Sequence, residues 1–303
     1  MTQVISTGTH PKLLWPGIHA VWGQTYNEHK EEYTDLFDVQ TSDKAYEEDV
    51  EVTGFGLLNR KEQGAATRYD SEAQGTVTRY THVAYSLGYI VTFEELRDNM
   101  YKQVSERRAQ ALAFSGRQTL ENICANIYNR AFNSTYTFGD NKELIATDHP
   151  TVSGDQSNEL TTASDLTEAA IEDLGIQIMD TVNARGQKIS IMPRCLIVPT
   201  ALFYEANRIV QSVLQNDTAN NAINVIKATN MFPEGIKVNH YLTSTTAWFV
   251  RTNAPRGMTF FWRDQPMFDK DNDFDTKNAK AAMYMRFSAG CTDFRSIFGT
   301  PGV

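Results

Sequence analysis

Between Glu51 and Phe132 the sequence sets out an arm and then a rod without a break. The segment Glu51-Val52-Thr53-Gly54-Phe55-Gly56-Leu57 opens it as a strand. A polar, glycine-punctuated stretch follows from Asn59 to Gly75. A second strand returns over Val77 to Val91, with Val77, Val83, Tyr85, Leu87, Tyr89 and Val91 at even intervals, the period-two mark of a strand. A helix is predicted to start at once. Thr92-Phe93-Glu94-Glu95 has the capping-box form, in which a hydroxyl and a carboxylate each satisfy an orphan amide. Leu96, Met100, Val104, Leu112, Leu120, Ile123, Ile127 and Ala131 then form an apolar stripe, and Lys102, Glu106, Arg107 and Arg117 fall off it. At ~1.5 Å per residue, a helix over 93–132 would reach ~60 Å. Gly116 is a point at which such a rod can bend.

An isolated two-stranded ribbon is marginal in water, and this one is too polar at its tip to bury itself in its own domain. A tip loop this long is uncommon unless it is functional or disordered. The ordinary alternative is a hairpin and helix inside one compact domain. The composition of the tip favours an arm that lies on a neighbouring molecule, and so points to assembly before catalysis. Its mixed charge and its aromatic group make Arg60, Lys61, Glu62, Arg68, Tyr69 and Asp70 the candidate intersubunit contacts.

The chain has 303 residues, enough for one large or two moderate domains, and its 41% hydrophobic content can fill a core. No apolar run approaches the length of a membrane span, and no charged n-region with an apolar stretch marks a signal peptide at the N-terminus. Cys124, Cys195 and Cys291 are few, odd in number and far apart, as expected of reduced thiols in a cytoplasm. A net charge of −9 opposes a surface built to hold DNA phosphates, and suits a wall that nucleic acid touches without adhering.

The remaining segments divide by pattern. Residues 1–49 lack periodicity and are read as an extended N-terminal arm, with Trp15, Trp22 and Tyr26 as aromatic groups that anchor it to a surface or else make ordinary core contacts. Asn133 to Ala163 is rich in loops. Ser164 or Asp165 caps a predicted helix with the stripe Leu166, Ala169, Ala170, Leu174, Ile178 and Val182. Cys195-Leu196-Ile197-Val198, ended by Pro199, has the form of a buried strand. A helix from Ala201 to about Val213 precedes a polar loop containing Asn216, Asp217, Asn220 and Asn221. Three short strands are expected near 237–241, 247–251 and 258–262. An acidic stretch, Asp264 to Asp275, leads to a last strand over 279–294. Strands and helices interleave without a regular beta-alpha-beta beat, which makes the class α+β.

No motif for catalysis or metal binding stands out. Asp148-His149 could be half of a nucleophile-activating set, but no Gly-x-Ser-x-Gly elbow accompanies it. The histidines show no metal-ligand spacing. Asp269-Lys270-Asp271-Asn272-Asp273 resembles the start of a calcium loop, yet Phe274 replaces the required Gly and Lys280 the bidentate Glu. No cofactor is expected.

An ordered series of segments resembles the major capsid (head) proteins of tailed bacteriophages, the Mu-type head subunits nearest among them. It comprises Phe55-Gly56, Lys61, Gly64, Tyr69-Asp70, Gly75, Tyr80-Thr81-His82, Tyr85, Gly88-Tyr89 and Thr92-Phe93-Glu94-Glu95. It continues with Asp148-His149-Pro150, Ser153-Gly154, Ser157-Asn158, Val238, Tyr241-Leu242-Thr243 and Ala247-Trp248-Phe249-Val250, and ends on Arg286-Phe287-Ser288-Ala289-Gly290, Asp293-Phe294-Arg295 and Gly299. The resemblance implies the HK-97-type capsid fold. The arm at 50–91 would be its extension loop. Residues 92–164 and 270–303 would form the peripheral domain, with a spine helix at 93–132. Residues 165–269 would form the axial domain that points to the capsomer centre, with Asn216, Asp217, Asn220 and Asn221 in its axial loop. The implied function is self-assembly into the hexamers and pentamers of an icosahedral shell. That shell encloses double-stranded DNA without sequence-specific binding and without a membrane, is assembled in the bacterial cytoplasm, and is carried in the virion. Scaffolding, if used, would be a separate protein or already removed, and portal and decoration proteins are further partners where they are used. Some members weld subunits through Lys–Asn isopeptide bonds. Lys61 lies in the corresponding loop, but crosslinking is not expected from one lysine. The rival readings are another phage structural protein, such as a tail or baseplate component, and a hydrolase using Asp148 and His149.

Overall fold

A computed structural model describes residues 22–27, 30–94, 101–215, 222–276 and 278–303, with only the backbone described over 101–106. Two four-stranded sheets and a separate hairpin make up its β structure. The first sheet has the order β1-β8-β9-β4, with β1 Asp38–Thr41, β4 Val83–Val91, β8 Met258–Asn272 and β9 Ala279–Cys291. The second has the order β10-β7-β5-β6, with β5 Pro193–Pro199, β6 Ile236–Asn239, β7 Trp248–Thr252 and β10 Ile297–Thr300. The hairpin joins β2, Tyr46–Val52, to β3, Gln74–Thr81. Helices α1 Tyr101–Asn129, α2 Glu168–Met179 and α3 Phe203–Gln211 accompany them among the described residues, with a short helical run over 22–27.

The second sheet explains the apolar run at Cys195. Successive side chains of a strand face opposite ways. Cys195 and Ile197 enter the core shared with α1 and the first sheet, while Leu196 and Val198 enter a second core beneath α2 and α3. Phe249 and Trp248 divide in the same way on β7, as do Ile297 and Phe298 on β10. A sheet covered on both faces needs no polar alternation, so the run reads as continuous. This sheet is the wall between two cores.

Helix α1 holds 29 residues, about 43 Å at ~1.5 Å per residue. The expected start at Phe93 and the Thr92–Glu95 box fall partly outside the described residues. Its buried face carries Ala109, Leu112, Ala113, Leu120, Cys124 and Tyr128. Arg117 and Glu121 are also buried there, which corrects the placing of Arg117 off the stripe. At Gly116 the helix lies against Met283 of β9, so close that a Cβ would sit 2.3 Å from its sulfur. The glycine serves this close approach.

Several element limits differ from expectation. The first arm strand ends at Val52, not Leu57. The expected strand at 77–91 is two strands: β3 pairs with β2, and after His82 the chain crosses to pair β4 with β9. Thr167, whose hydroxyl accepts the Ala170 N–H, caps α2 in place of Ser164 or Asp165. The strand begun at Met258 continues through the acidic stretch to Asn272, so the limit expected at 269 falls inside it. The last segment, Ile297–Thr300, pairs with β7 in the second sheet. Residues 30–49 are not an extended arm: Tyr33, Leu36 and Phe37 are core residues, and β1 lies parallel to β8.

Candidate assembly surfaces

The arm is closed at its neck in two steps. Thr53 and Ala73 exchange hydrogen bonds: the Thr53 N–H donates to the Ala73 carbonyl at 3.1 Å, and the Ala73 N–H donates to the Thr53 hydroxyl at 3.0 Å. Further out, Asp70 Oδ2 accepts the Gly56 N–H at 2.8 Å and the Arg185 Nη1 at 2.6 Å. The Arg185 Nη2 also donates to the Ser71 carbonyl. The Gly56 N–H, the Arg185 guanidinium and the Ser71 N–H together hold the Asp70 carboxyl down to about 2. Asp70 was grouped by sequence with the outward contacts; here it bonds within its own subunit.

Beyond this neck the loop is exposed. Leu57 is 80% exposed, Leu58 99% and Tyr69 90%. Arg60, Lys61, Glu62 and Arg68 are exposed beside them, with no ion pair to a described residue. Soluble chains seldom leave large apolar side chains grouped in water without a use for them. Phe55 and Leu57 were missed as candidates because the sequence assigns them to a strand, and Leu58, which follows directly, was given no role. Their signal was an apolar run directly before a charged stretch.

The N-terminal aromatic groups take part in the subunit's own core. Trp22 stacks on Tyr26 at 5.4 Å between centroids and on Phe268 at 5.6 Å. The Arg117 guanidinium lies 4.0 Å over the Tyr26 ring and makes an ion pair with Glu31 at 2.9 Å. Trp15 lies outside the described residues, and so do Asn216, Asp217, Asn220 and Asn221. The stems of that polar loop are joined by a hydrogen bond from the Gln215 N–H to the Ala222 carbonyl at 2.9 Å. Val213 and Ile223 stand exposed beside it.

The Asp-His pair is a packing feature. His149 is buried, with Nδ1 2.5 Å from Asp140 Oδ2 and Nε2 3.0 Å from Asn158 Oδ1. Its ring stacks on Phe294 at 4.1 Å. Both ring nitrogens are engaged, so neither faces a nucleophile. Asp148 pairs instead with Lys142. Burial pushes the Cys195 thiol up to about 11 and the Cys291 thiol higher still, as expected of inert structural cysteines. Among the described residues no group of three His, Cys, Asp or Glu could hold a metal. In the acidic turn, the Lys280 ammonium donates to Asp273 at 2.9 Å, which places a cation where a calcium ligand would be needed. Among the described residues no helix is long and apolar enough to cross a membrane.

The sequence profile of a family described as phage capsid protein matches residues 75–299. No curated protein sequence matches the chain. Among solved structures, a chain of Mycobacterium phage Patience aligns with a TM-score of 0.54 at 10% identity, covering 99% of this chain and 89% of that one. A virus-like particle from Pyrococcus furiosus aligns with 0.52 at 12% identity, covering 93% and 97%. A phage-related protein from Bordetella bronchiseptica aligns with 0.52 at 13% identity, covering 93% and 95%. The fold is thus the α+β HK-97-type capsid fold that the sequence led us to expect. With a matching profile over most of its length and a fold shared with shell subunits, the chain belongs to the phage capsid protein family and is a structural subunit of the head shell.

Proposed function

We propose that this capsid subunit forms the hexamers and pentamers of a closed icosahedral head around double-stranded DNA. The exposed apolar and cationic segment 57–69, held away from its own core by a closed neck, is the observation that carries this reading. A surface of that kind is stabilised only when another subunit covers it, and heterologous contacts close into rings when the rotation between copies allows. In family terms, residues 50–91 serve as the extension loop, residues 92–164 and 270–303 chiefly as the peripheral domain, and residues 165–269 chiefly as the axial domain.

Assembly takes place in the bacterial cytoplasm, with scaffolding, portal and decoration proteins as partners where they are used. DNA is confined without sequence-specific contact, as the net charge of −9 favours. The subunit carries out no chemistry. The test is electron microscopy of purified protein with and without residues 57–69. The full chain should form closed shells, and the deletion should remain a folded, soluble subunit. Normal shells from the deletion would refute the reading.

A further inference from the structure

The exposed loop is tethered at its neck to a turn of its own subunit. We infer that Arg185, on that turn, is a positioning residue that sets where the loop tip can reach on a neighbouring subunit. This inference rests on the assembly role proposed above.

The turn is built before the arginine contacts anything. Asn183 Oδ1 accepts the N–H groups of Arg185 and Gln187, each at 2.9 Å. The Asn183 side-chain amide donates to Gln187 Oε1 at 3.0 Å, and the Asn183 N–H donates to the Gln187 carbonyl at 2.8 Å. Gly186 takes φ +79°, the left-handed conformation that a tight turn asks of glycine. The turn is also held from behind: the Gln156 amide donates to the Asn183 carbonyl at 3.0 Å, and Arg295 Nε donates to the Val182 carbonyl at 2.9 Å. Arg185 therefore projects from a fixed base.

On the loop side the site is equally specific. One guanidinium edge takes both the Asp70 carboxylate and the Ser71 carbonyl, a fork that only arginine can supply. The same carboxylate oxygen holds the Gly56 amide on the opposite limb of the loop, so a single contact fixes both limbs. A Cβ at Gly56 would sit 3.1 Å from that oxygen and 3.4 Å from Arg185 Nη1, so a side chain there would push this contact aside. Without Arg185, the loop beyond β2 and β3 would be held only by the Thr53–Ala73 pair and the Gly56–Asp70 bond. Its limbs could then swing together about the hairpin. An exposed ion pair contributes little to folding. Its effect lies in ordering a loop in advance of binding, which lowers the entropy lost when a partner covers it.

The loop carries its own reporters, since trypsin cuts after Arg60, Lys61 and Arg68. Full-length Arg185→Ala and Asp70→Asn variants, together with the exchanged pair Arg185→Asp with Asp70→Arg, would be compared with wild type in three measurements. Melting should be unchanged in all. Trypsin cutting within the loop of dilute, unassembled subunits should rise at least tenfold in each single variant. Shell yield, by light scattering and electron microscopy, should fall at least tenfold in the single variants and recover in part in the exchanged pair. Wild-type trypsin rates or wild-type shell yields in the single variants would overturn the inference. If Arg185→Ala misfolds, Asp70→Asn decides by the same criteria, because it leaves the turn intact. Should wild type itself form no shell, the assembly reading fails, and the trypsin rates alone then decide whether Arg185 holds the loop.

Discussion

Arg117 and Glu121 stand one helical turn apart on a face that otherwise holds alanine, leucine, cysteine and tyrosine. Their charges face the N-terminal segment. Arg117 Nη2 donates to the Tyr26 carbonyl at 3.2 Å, and Glu121 Oε1 accepts the Glu32 N–H at 3.0 Å. Sequence periodicity sorted Arg117 with the solvated side chains because the Tyr26 carbonyl it bonds lies 91 residues away in the chain, beyond the reach of any local pattern. The consequence is testable against Arg107, which is exposed on the same helix. Arg117→Ala strands the Tyr26 carbonyl and removes the cation from its ring, and should cost on the order of 2–4 kcal/mol. Arg107→Ala should stay within about 0.5 kcal/mol. Urea midpoints for the two variants check this. Glu121 gives a second expectation. Burial drives its carboxyl up to about 7, with backbone N–H groups opposing the rise. A carboxyl raised in the fold leaves stability intact below its unfolded value, near 4.5, and removes it as pH climbs through about 7. The melting temperature of wild type should therefore fall between pH 5 and pH 8 by more than that of Glu121→Gln. Equal slopes would show that Glu121 is not the titrating group.

At the scale of elements, sequence recovered what repeats locally. The period-two segments at 77–91, the apolar run at 195–198 and the long helical stripe all became regular structure, though with shifted limits. It failed where a strand changes surroundings midway. The first part of β8, Thr259–Trp262, is flanked by β1 on one side and β9 on the other. Beyond Trp262 only β9 remains beside it among the described residues, so β8 is an edge strand there. An edge carries charge to discourage pairing with other chains, and Asp264, Asp269, Lys270 and Asp271 stand there. The acidic composition hid the strand because the sequence does not announce which strands have neighbours. The hairpin was misread for a related reason: β3 and β4 share one pattern but pair with different partners. Within α1 the stripe can be checked directly. Leu120 is fully buried in the first core, so Leu120→Ala should cost ~2–5 kcal/mol. Phe114→Ala, on the exposed side, should cost much less. A smaller loss for Leu120 than for Phe114 in chemical unfolding would mean that the buried face is wrongly assigned.

For the whole molecule, the decisive contacts join distant parts of the chain. β10 comes from the C-terminal end and completes a sheet whose other strands were made a hundred residues or so earlier in part. Just before it lies Arg295, buried, with Nη1 3.1 Å from Asp293 and 3.4 Å from Glu51 at the loop end of β2. Its Nη2 donates to Gln156 at 3.1 Å, and its Nε to the Val182 carbonyl at 2.9 Å. One guanidinium thus touches the arm, the loop region and the turn beyond α2. None of this was visible in sequence, where Arg295 entered only as a residue of the capsid-like terminal pattern. The family could be read from that pattern; the joint could not. Removing one member of a buried charge group leaves the others unpaired, at a cost on the order of 3 kcal/mol. Because two cores meet at a shared sheet and at this arginine, wild-type subunits should unfold in a single calorimetric transition. Arg295→Met should lower its midpoint and loosen the loop end of the hairpin, seen as faster amide exchange at Glu51 and Val52. An unchanged midpoint with unchanged exchange there would show that the hairpin is held by β2–β3 pairing and the Arg185 neck alone.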